Sequence, residues 1–129
     1  MSTDKKIEIS LVGFGIARAK KGFMAQAVVP AAKAALNDAG IKLDDLKAVK
    51  THNPFAVNDI YFSRETGFDV NNMNNFGSSL IWGHPQGPTA LRATIELIEE
   101  LVTRGGGYGL FAGCAAGDTA AGCVIKVSG

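Results

Sequence analysis

The first apolar pattern along the chain is an alternation with a period of two residues. Ile7, Ile9 and Leu11 alternate with polar residues, which is typical of a strand with one face more buried than the other. This alternation predicts a first strand over the segment KIEISLVGFGIA.

A helix and a second strand are predicted next. The segment VVPAAKAALNDAG has Pro30 near its start and Gly40 just past its end, and helices commonly begin and end with these residues. The following segment, IKLDDLKAVKTHN, predicts a turn and then a short strand from about Lys47 to Thr51, which ends at His52.

The middle of the chain gives a weaker helical pattern and then an irregular one. Phe55, Ile60 and Tyr61 indicate a shorter helix that ends at Gly67. The segment FDVNNMNNFGSS is rich in Asn and Gly, which favour turns. It therefore predicts an irregular connection with room for a short strand.

The clearest helical pattern runs from about Pro88 to Arg104, with an apolar stripe on one side and glutamates mostly elsewhere. The stripe consists of Leu91, Ile95, Ile98 and Val102. The three glycines at 105–107 end this helix. Beyond them, YGLFAGC and AGCVIKVSG are two apolar segments joined by AAGDT, which predicts an antiparallel hairpin.

These elements predict the fold class. Their order is strand, helix, strand, helix, helix, strand, strand, which is typical of an α/β protein with a layered mixed sheet. We expect a sheet of about five strands packed with helices. The length of 129 residues predicts a single domain spanning residues 1–129.

Composition and charge narrow the range of partners. Apolar residues make up 47% of the chain and charged residues 19%, so the chain can bury a core. A net charge of +1 gives no electrostatic case for binding nucleic acid or an anionic membrane. No apolar run approaches the roughly 20 residues of a membrane span, and the start, MSTDKKIEIS, has no long apolar stretch behind its lysines. We expect a soluble, cytoplasmic protein.

His84 is the first candidate for chemistry. It lies between Gly83 and Pro85, just before the predicted long helix. The positive end of that helix dipole disfavours an imidazolium and would help to keep the ring neutral, so that it can accept a proton. A histidine that only packs at the start of a helix remains the alternative.

His52 and Cys114 each lie at the end of a predicted strand, the part of an α/β sheet where ligands commonly bind. Small neighbours in LFAGCAAGD would let a substrate approach the Cys114 sulfur. The alternatives are a loop histidine without a role and a structural buried cysteine. Cys123 lies inside an apolar run and is predicted to belong to the core.

Several other site types have little support. The two cysteines could face each other across the predicted hairpin, which would allow a disulfide or a redox pair. There is no HxxxH spacing or paired-carboxylate motif, so we predict no metal. GFGIAR is only a GxG fragment, and nothing resembles GxxxxGK[ST], so nucleotide-binding loops of these kinds are poorly supported.

The segments around the three candidates resemble the C-terminal domain of the thiolase family. GHPQGPTALRATIELIEEL is similar to the family's GHP segment and following helix, and RGGGYGLFAGCAAGD to the stretch that holds its second catalytic cysteine. VVPAAKAALNDAGIKLDDL resembles the family's Pro-initiated helix and LDD turn, and THNPFA falls where thiolases carry NEAF. The resemblance covers nearly the whole chain, and GHP with a correctly spaced GC is a fairly specific combination.

The resemblance implies three catalytic roles. His84 would activate a nucleophilic cysteine and help to form an oxyanion hole for the thioester oxygen. Cys114 would exchange a proton with the acetyl-CoA carbon or with the CoA sulfur. His52 takes the place of the Asn in NEAF, as in the sterol-carrier-protein type of thiolase, and would help to bind the substrate oxygen.

The resemblance also implies a second oxyanion hole. The backbone N–H of Ala116 would contribute to it, and Asn53 and Gly117 are further candidates for oxyanion or substrate binding. Preorganised donors of this kind stabilise developing negative charge by about 3 to 4 kcal/mol each.

Departures from the family pattern accompany these matches. HNPF replaces NEAF, CAAG replaces CxGG, and Phe76 and Ser78 stand in the NxNGG-like segment, so we expect a different substrate shape. The nucleophilic cysteine of thiolases belongs to an N-terminal domain, and neither Cys114 nor Cys123 matches its position. The chain alone is therefore predicted to be inactive.

The main hypothesis is a C-terminal thiolase half that acts with a separate N-terminal half carrying the nucleophilic cysteine. The reaction would be 3-oxoacyl-CoA thiolysis or Claisen condensation, with coenzyme A or acyl-CoA as substrate and no covalently bound cofactor. We expect a dimer of thiolase units or a larger oligomer. A natural split subunit and an excised fragment both remain open, and the alternative function is a non-catalytic module that binds or regulates a thiolase-like partner.

Overall fold

The apolar runs form one mixed sheet in a computed structural model that describes residues 6–129. Within these residues the sheet has four strands, in the order β1-β4-β3-β2. Their bounds are β1 (Glu8–Arg18), β2 (Leu46–Thr51), β3 (Gly107–Ala115) and β4 (Thr119–Ser128). β4 pairs antiparallel with β1 and β3, whereas β2 runs parallel to β3.

The α/β class, the mixed sheet and the C-terminal hairpin are confirmed, but the prediction of about five strands is wrong for the described residues. The segment with room for another strand instead forms a 3₁₀ turn at Val70–Asn72 and one isolated bridge between Met73 and Val49. Its asparagines favour local turns over a ladder. The opening residues 1–5, which bear on the expectation of no targeting segment, lie outside the described residues.

Helices cover both faces of the sheet. They are α1 (Val28–Ala39), α2 (Ala56–Thr66), the short α3 (Ser79–Trp82) and α4 (Thr89–Thr103). Gly40 and Gly67 adopt left-handed backbone conformations where α1 and α2 end, as the sequence predicts. Two 3₁₀ turns, Met24–Ala27 and Leu43–Asp45, precede α1 and β2. α3 has only four residues and was not predicted.

α1 packs closely against β1 and β4. Its buried residues are mostly alanine and valine, and glycines in the facing strand allow the close approach. A Cβ on Gly15 would lie 2.5 Å from the backbone oxygen of Ala31, which is too close for any side chain. Gly15 therefore sets the spacing between this helix and the sheet.

α4 lies against β2 and β3, within a second core cluster that also includes Phe111 and Ile125. Ala93, Leu97 and Leu101 are buried on the sheet side. Leu91 and Ile95, from the stripe picked out in the sequence, are 65% and 50% exposed. Residues two apart on a helix point about 200° away from each other, so α4 is apolar on two opposite sides.

β1 also has an exposed apolar side. Phe14 pairs with Cys123, and Leu11 with Ile125, and both partners belong to the cluster beneath α4. The exposed β1 residues therefore lie on the same sheet face as α4, which covers β2 and β3 but leaves β1 open. We call the following set the open apolar face: Ile9, Leu11, Phe14 and Ile16 of β1, with Leu91 and Ile95 of α4.

Candidate active site

Parallel pairing of β2 and β3 brings two of the predicted site residues to one edge of the sheet. His52 directly follows β2, and Cys114 lies near the end of β3. His84 comes from the connection between α3 and α4. These three residues and Ala116 line one open cavity of about 660 Å³, whose remaining wall is largely apolar and includes Met24, Phe55, Phe111 and Ala121.

The two histidines lie beside each other. Their ring centroids are 4.2 Å apart, with 44° between the ring planes. Nδ1 of His52 is 3.1 Å from the Ser79 hydroxyl oxygen, and Nδ1 of His84 is 2.8 Å from the hydroxyl oxygen of Thr89, the first residue of α4. The hydroxyl groups thus fix both rings through Nδ1 and leave Nε2 for a substrate or a proton.

His52 is held in its neutral form. Burial, followed by the nearby His84 and Arg92, lowers its pKa from 6.5 to about 4, because each of these influences disfavours an added positive charge. At neutral pH a ring of this kind can donate or accept a hydrogen bond without carrying charge.

Cys114 has a polar partner inside the cavity wall. The side-chain amide of Asn58 donates to its sulfur over 3.7 Å. Burial raises the pKa of the Cys114 thiol, while a backbone hydrogen bond and the Asn58 amide act in the opposite direction. Cys114 is therefore a protonated thiol at neutral pH with a donor positioned for its thiolate, an arrangement that suits proton exchange.

A charged network around the buried Lys50 holds the segment that carries Ser79. Lys50 has no exposed surface, and its ammonium group lies 2.6 Å from the Gly77 carbonyl oxygen and 2.7 Å from a carboxylate oxygen of Glu96. Arg92 lies 3.8 Å from the other carboxylate oxygen of Glu96 and donates to the carbonyl oxygen of Gly83 over 3.0 Å. The network thus fixes both ends of the segment 77–83, directly before His84.

Asp59 organises the residues on either side of His52. Its carboxylate accepts hydrogen bonds from the Thr51 hydroxyl and from the side-chain amides of Asn53 and Asn74. Asn74 also binds the backbone N–H of Thr51 through its side-chain oxygen, over 2.9 Å. The end of β2 is therefore held on both sides of the point where the chain reaches His52.

The structure brings four of the six predicted site residues to the cavity: His52, His84, Cys114 and Ala116. Asn53 is buried and turned to Asp59, and it does not line the cavity. Gly117 lies in the hairpin turn with a left-handed backbone, also outside the cavity lining.

Sequence reasoning missed Lys50, Glu96 and Asn58. Lys50 carried a signal, since it interrupts the short strand LKAVKT at a buried position. Asn58 gave none, because polar residues are ordinary on a helix that is mostly exposed. Only the tertiary contact with Cys114 distinguishes it.

The two cysteines are free and lie on opposite faces of the sheet. Cys114 pairs with Ala120, and Cys123 with Phe111. Directly paired residues share a face of the sheet, so Cys123 lies on the same face as Phe111. Phe111 is three residues from Cys114 along β3, and side chains alternate between faces, so Cys114 lies on the other face. The idea that the two cysteines face each other is wrong, and a disulfide or redox pair between them has no support.

Within residues 6–129, no group of three or more His, Cys, Asp and Glu side chains could hold a metal ion. None of the helices there is long and apolar enough to cross a membrane.

Comparison with known families matches residues 5–127 to the family described as "Thiolase, C-terminal domain". The human mitochondrial 3-ketoacyl-CoA thiolase is 30% identical over 116 residues, which cover 90% of this chain and 29% of that protein. A 3-ketoacyl-CoA thiolase of Aliivibrio fischeri is 36% identical over 110 residues, covering 72% of this chain and 25% of that protein.

Solved structures agree with these matches. The acetyl-CoA acetyltransferase of Bacillus anthracis superposes with a TM-score of 0.88 at 28% identity, over 92% of this chain and 30% of that one. The human mitochondrial 3-ketoacyl-CoA thiolase in complex with CoA gives a TM-score of 0.86 at 30% identity, over 90% and 29% of the two chains. The chain thus spans less than a third of the length of these relatives.

Proposed function

The chain belongs to the thiolase family, where it corresponds to the C-terminal domain, and from this premise we propose that it supplies half of an acyl-transfer site. The reaction is 3-oxoacyl-CoA thiolysis or, in reverse, Claisen condensation of acyl-CoA units. The observation that carries the proposal is the single cavity shared by His52, His84 and Cys114, which come from three separate segments.

The nucleophile comes from an N-terminal thiolase domain, carried on a separate subunit or on a longer chain. The open apolar face supports this arrangement, because exposed apolar surfaces of this kind mark interaction sites. α4 supports it further, since Leu91 and Ile95 give the helix a second apolar side opposite the sheet. A helix that is apolar on two sides is suited to lie between two layers.

His84 acts as the base that activates the partner's cysteine. With Nδ1 donating to the Thr89 hydroxyl oxygen, Nε2 is unprotonated and takes the thiol proton, and the resulting thiolate attacks the 3-oxo carbon. The bond between C2 and C3 of the substrate then breaks, and the acyl group stays on the partner's cysteine as a thioester. A base placed within reach of a thiol is the usual means of activating it.

Cys114 donates a proton to the departing acetyl-CoA carbon and later accepts one from coenzyme A. When the bond between C2 and C3 breaks, the electron pair remains on the acetyl-CoA carbon, and Cys114 donates its proton there. The Cys114 thiolate then takes the thiol proton of an incoming coenzyme A, whose sulfur attacks the thioester. This releases the shortened acyl-CoA and the thiolate of the partner's cysteine, which recovers its proton from His84. The raised pKa of Cys114 supports this role, because the resting group holds the proton that it must give.

His52 binds the substrate oxygen as a neutral donor. With Nδ1 accepting from the Ser79 hydroxyl, the proton lies on Nε2 and is donated to the oxygen, directly or through water. A pKa near 4 supports this role, because His52 stays neutral when His84 becomes charged. His52 in place of Asn also leads us to propose the sterol-carrier-protein type of thiolase.

The remaining predicted residues act through the backbone or through a neighbour. The N–H of Ala116 contributes to the second oxyanion hole, and the left-handed turn at Gly117 shapes the loop that carries it. Asn53 helps to hold the end of β2 through Asp59. Coenzyme A and acyl-CoA serve as substrates, and we place the reaction in the cytoplasm, in a dimer of thiolase units or a larger oligomer.

A non-catalytic binding module is the second candidate, and the same open apolar face favours it. Mixing the chain with a nucleophile-bearing thiolase domain and assaying CoA-dependent cleavage of a 3-oxoacyl-CoA distinguishes the two. The catalytic proposal requires turnover by the mixture and its loss in His84→Ala and Cys114→Ser. If these folded variants bind the domain and support turnover at the parent rate, the chain acts only as a binding module. Cys123→Ser serves as the matched control.

A further inference from the structure

We infer that Asn58 is a positioning residue for Cys114, serving both the thiol and the thiolate through the two ends of its side-chain amide. The inference rests on the proton-exchange role of Cys114 under the proposed function. Asn58 is one of only two buried residues of α2, the other being Phe62, so a polar group occupies half of the helix's buried positions.

Only one end of the Asn58 side-chain amide has a hydrogen-bond partner among residues 6–129. Its Nδ2 donates to the Cys114 sulfur over 3.7 Å, but its Oδ1 is buried with no hydrogen-bond partner in residues 6–129. The residue as a whole is only 5% exposed. A buried acceptor without a partner is costly, by about 1–3 kcal/mol, and natural structures keep few of them. Asn58 Oδ1 is one of four buried side-chain atoms without a partner in the described residues and the one whose amide contacts Cys114.

Proton exchange at Cys114 explains why the side-chain oxygen of Asn58 has no partner. A thiolate only accepts hydrogen bonds, whereas a thiol also has a proton to donate. An amide can meet both needs, with Nδ2 facing the thiolate and, after a half-turn of the amide, Oδ1 facing the S–H group. A carboxylate at this position would repel the thiolate, and an apolar side chain would leave both forms unsupported.

The position of Asn58 suits this task. It lies in the first turn of α2, and its backbone N–H is bound to the Phe55 carbonyl oxygen over 3.0 Å. Asp59, the next residue, is fixed by its bonds to Thr51, Asn53 and Asn74. The backbone that carries Asn58 is thus anchored beside both His52 and Cys114, and the side-chain amide can turn without displacing the helix.

The test uses the chain alone, in a Cys123→Ser background so that Cys114 is the only thiol. The rate of alkylation by iodoacetamide is measured against pH, because the thiolate is the reacting form. Asn58→Leu removes both ends of the amide at nearly constant shape, and Asn58→Asp replaces it with a carboxylate. The exposed Asn72, whose hydrogen bonds within residues 6–129 are to Asp69 and Asn75, provides matched controls through the same two substitutions.

We expect the apparent pKa of Cys114 to rise in both Asn58 variants. Alkylation below that pKa should slow by about threefold in Asn58→Leu and by about tenfold or more in Asn58→Asp, where like charges repel. The Asn72 controls should keep the parent profile. A parent profile in either Asn58 variant, shown to be folded by its cooperative unfolding in urea, would overturn the inference.

Failure of this experiment and failure of the proposed function can be told apart. The alkylation profile needs no partner domain and no substrate, so it reports only on the contact between Asn58 and Cys114. Turnover in the reconstituted mixture reports on the role of Cys114 itself.

Discussion

The imidazole rings of His52 and His84 lie 4.2 Å apart, and different segments of the chain fix each of them. Ser79 holds the first ring and Thr89 the second. At this distance two positive charges would repel strongly, so the pair is suited to carry at most one positive charge. Burial of His52, together with the closeness of the two rings, also gives the fold a measurable dependence on pH.

Folding stability should fall as the pH drops from about 6.5 to about 4. The pKa of His52 is about 4 in the folded chain and 6.5 when unperturbed, so between these values the unfolded chain binds more protons and protonation favours unfolding. The loss of stability should be at most about 3 kcal/mol, since a difference of one pKa unit between the folded and unfolded chain corresponds to about 1.4 kcal/mol.

Urea denaturation at several pH values measures this loss. In His52→Asn the free energy of unfolding should depend much less on pH over the same range. Only the contributions of other titrating groups should remain. An equal dependence in parent and variant would show that another group causes it.

Lys50→Met should destabilise the chain by about 3 kcal/mol, because it leaves the Glu96 carboxylate next to an apolar side chain without its closest partner. The double variant Lys50→Met with Glu96→Met should recover part of that loss, since an apolar pair can replace a buried ion pair. Urea denaturation of the parent, the two single variants and the double variant measures the coupling. Additive effects would contradict a direct interaction.

A charge on the open apolar face should weaken binding to a nucleophile-bearing thiolase domain without unfolding the chain. Ile16→Asp and Leu91→Asp change side chains that are 67% and 65% exposed, so each should alter the free energy of unfolding by only about 0.5 kcal/mol. Binding, measured by calorimetry, should weaken by at least about tenfold, which corresponds to 1.4 kcal/mol.

Val70→Asp is the matched control for these two variants. Val70 is 42% exposed but belongs to a 3₁₀ turn outside the open apolar face. Equal weakening by all three variants would indicate a general effect of charge and would remove the assignment of this face as the interface.

The sequence predicts local elements well here because local signals determine them. Pro30 and Gly40 bracket α1, and the apolar segments on either side of AAGDT become β3 and β4. The buried side of α4 was not predictable in the same way. Leu91 and Leu97 are equally apolar, and tertiary packing decides which of them meets the sheet. On the buried side, Leu97 and Leu101 fill the space that the missing Cβ of Gly109 leaves.

The residues of the candidate site also differ in whether local sequence reveals them. His52, His84 and Cys114 stand out because their residue types and their places at element ends suggest chemistry. Lys50 and Asn58 do not, because their importance comes from contacts with Glu96 and Cys114 across 46 and 56 residues of sequence. No local pattern records such contacts.

Activation by His84 of a cysteine on another domain can be measured directly. A nucleophile-bearing thiolase domain is mixed with this chain and acetyl-CoA, and acetylation of its cysteine is followed by mass spectrometry. We expect rapid acetylation with the parent chain and a loss of about 100-fold or more with a folded His84→Ala variant. Equal acetylation with the parent and with His84→Ala would contradict this role of His84.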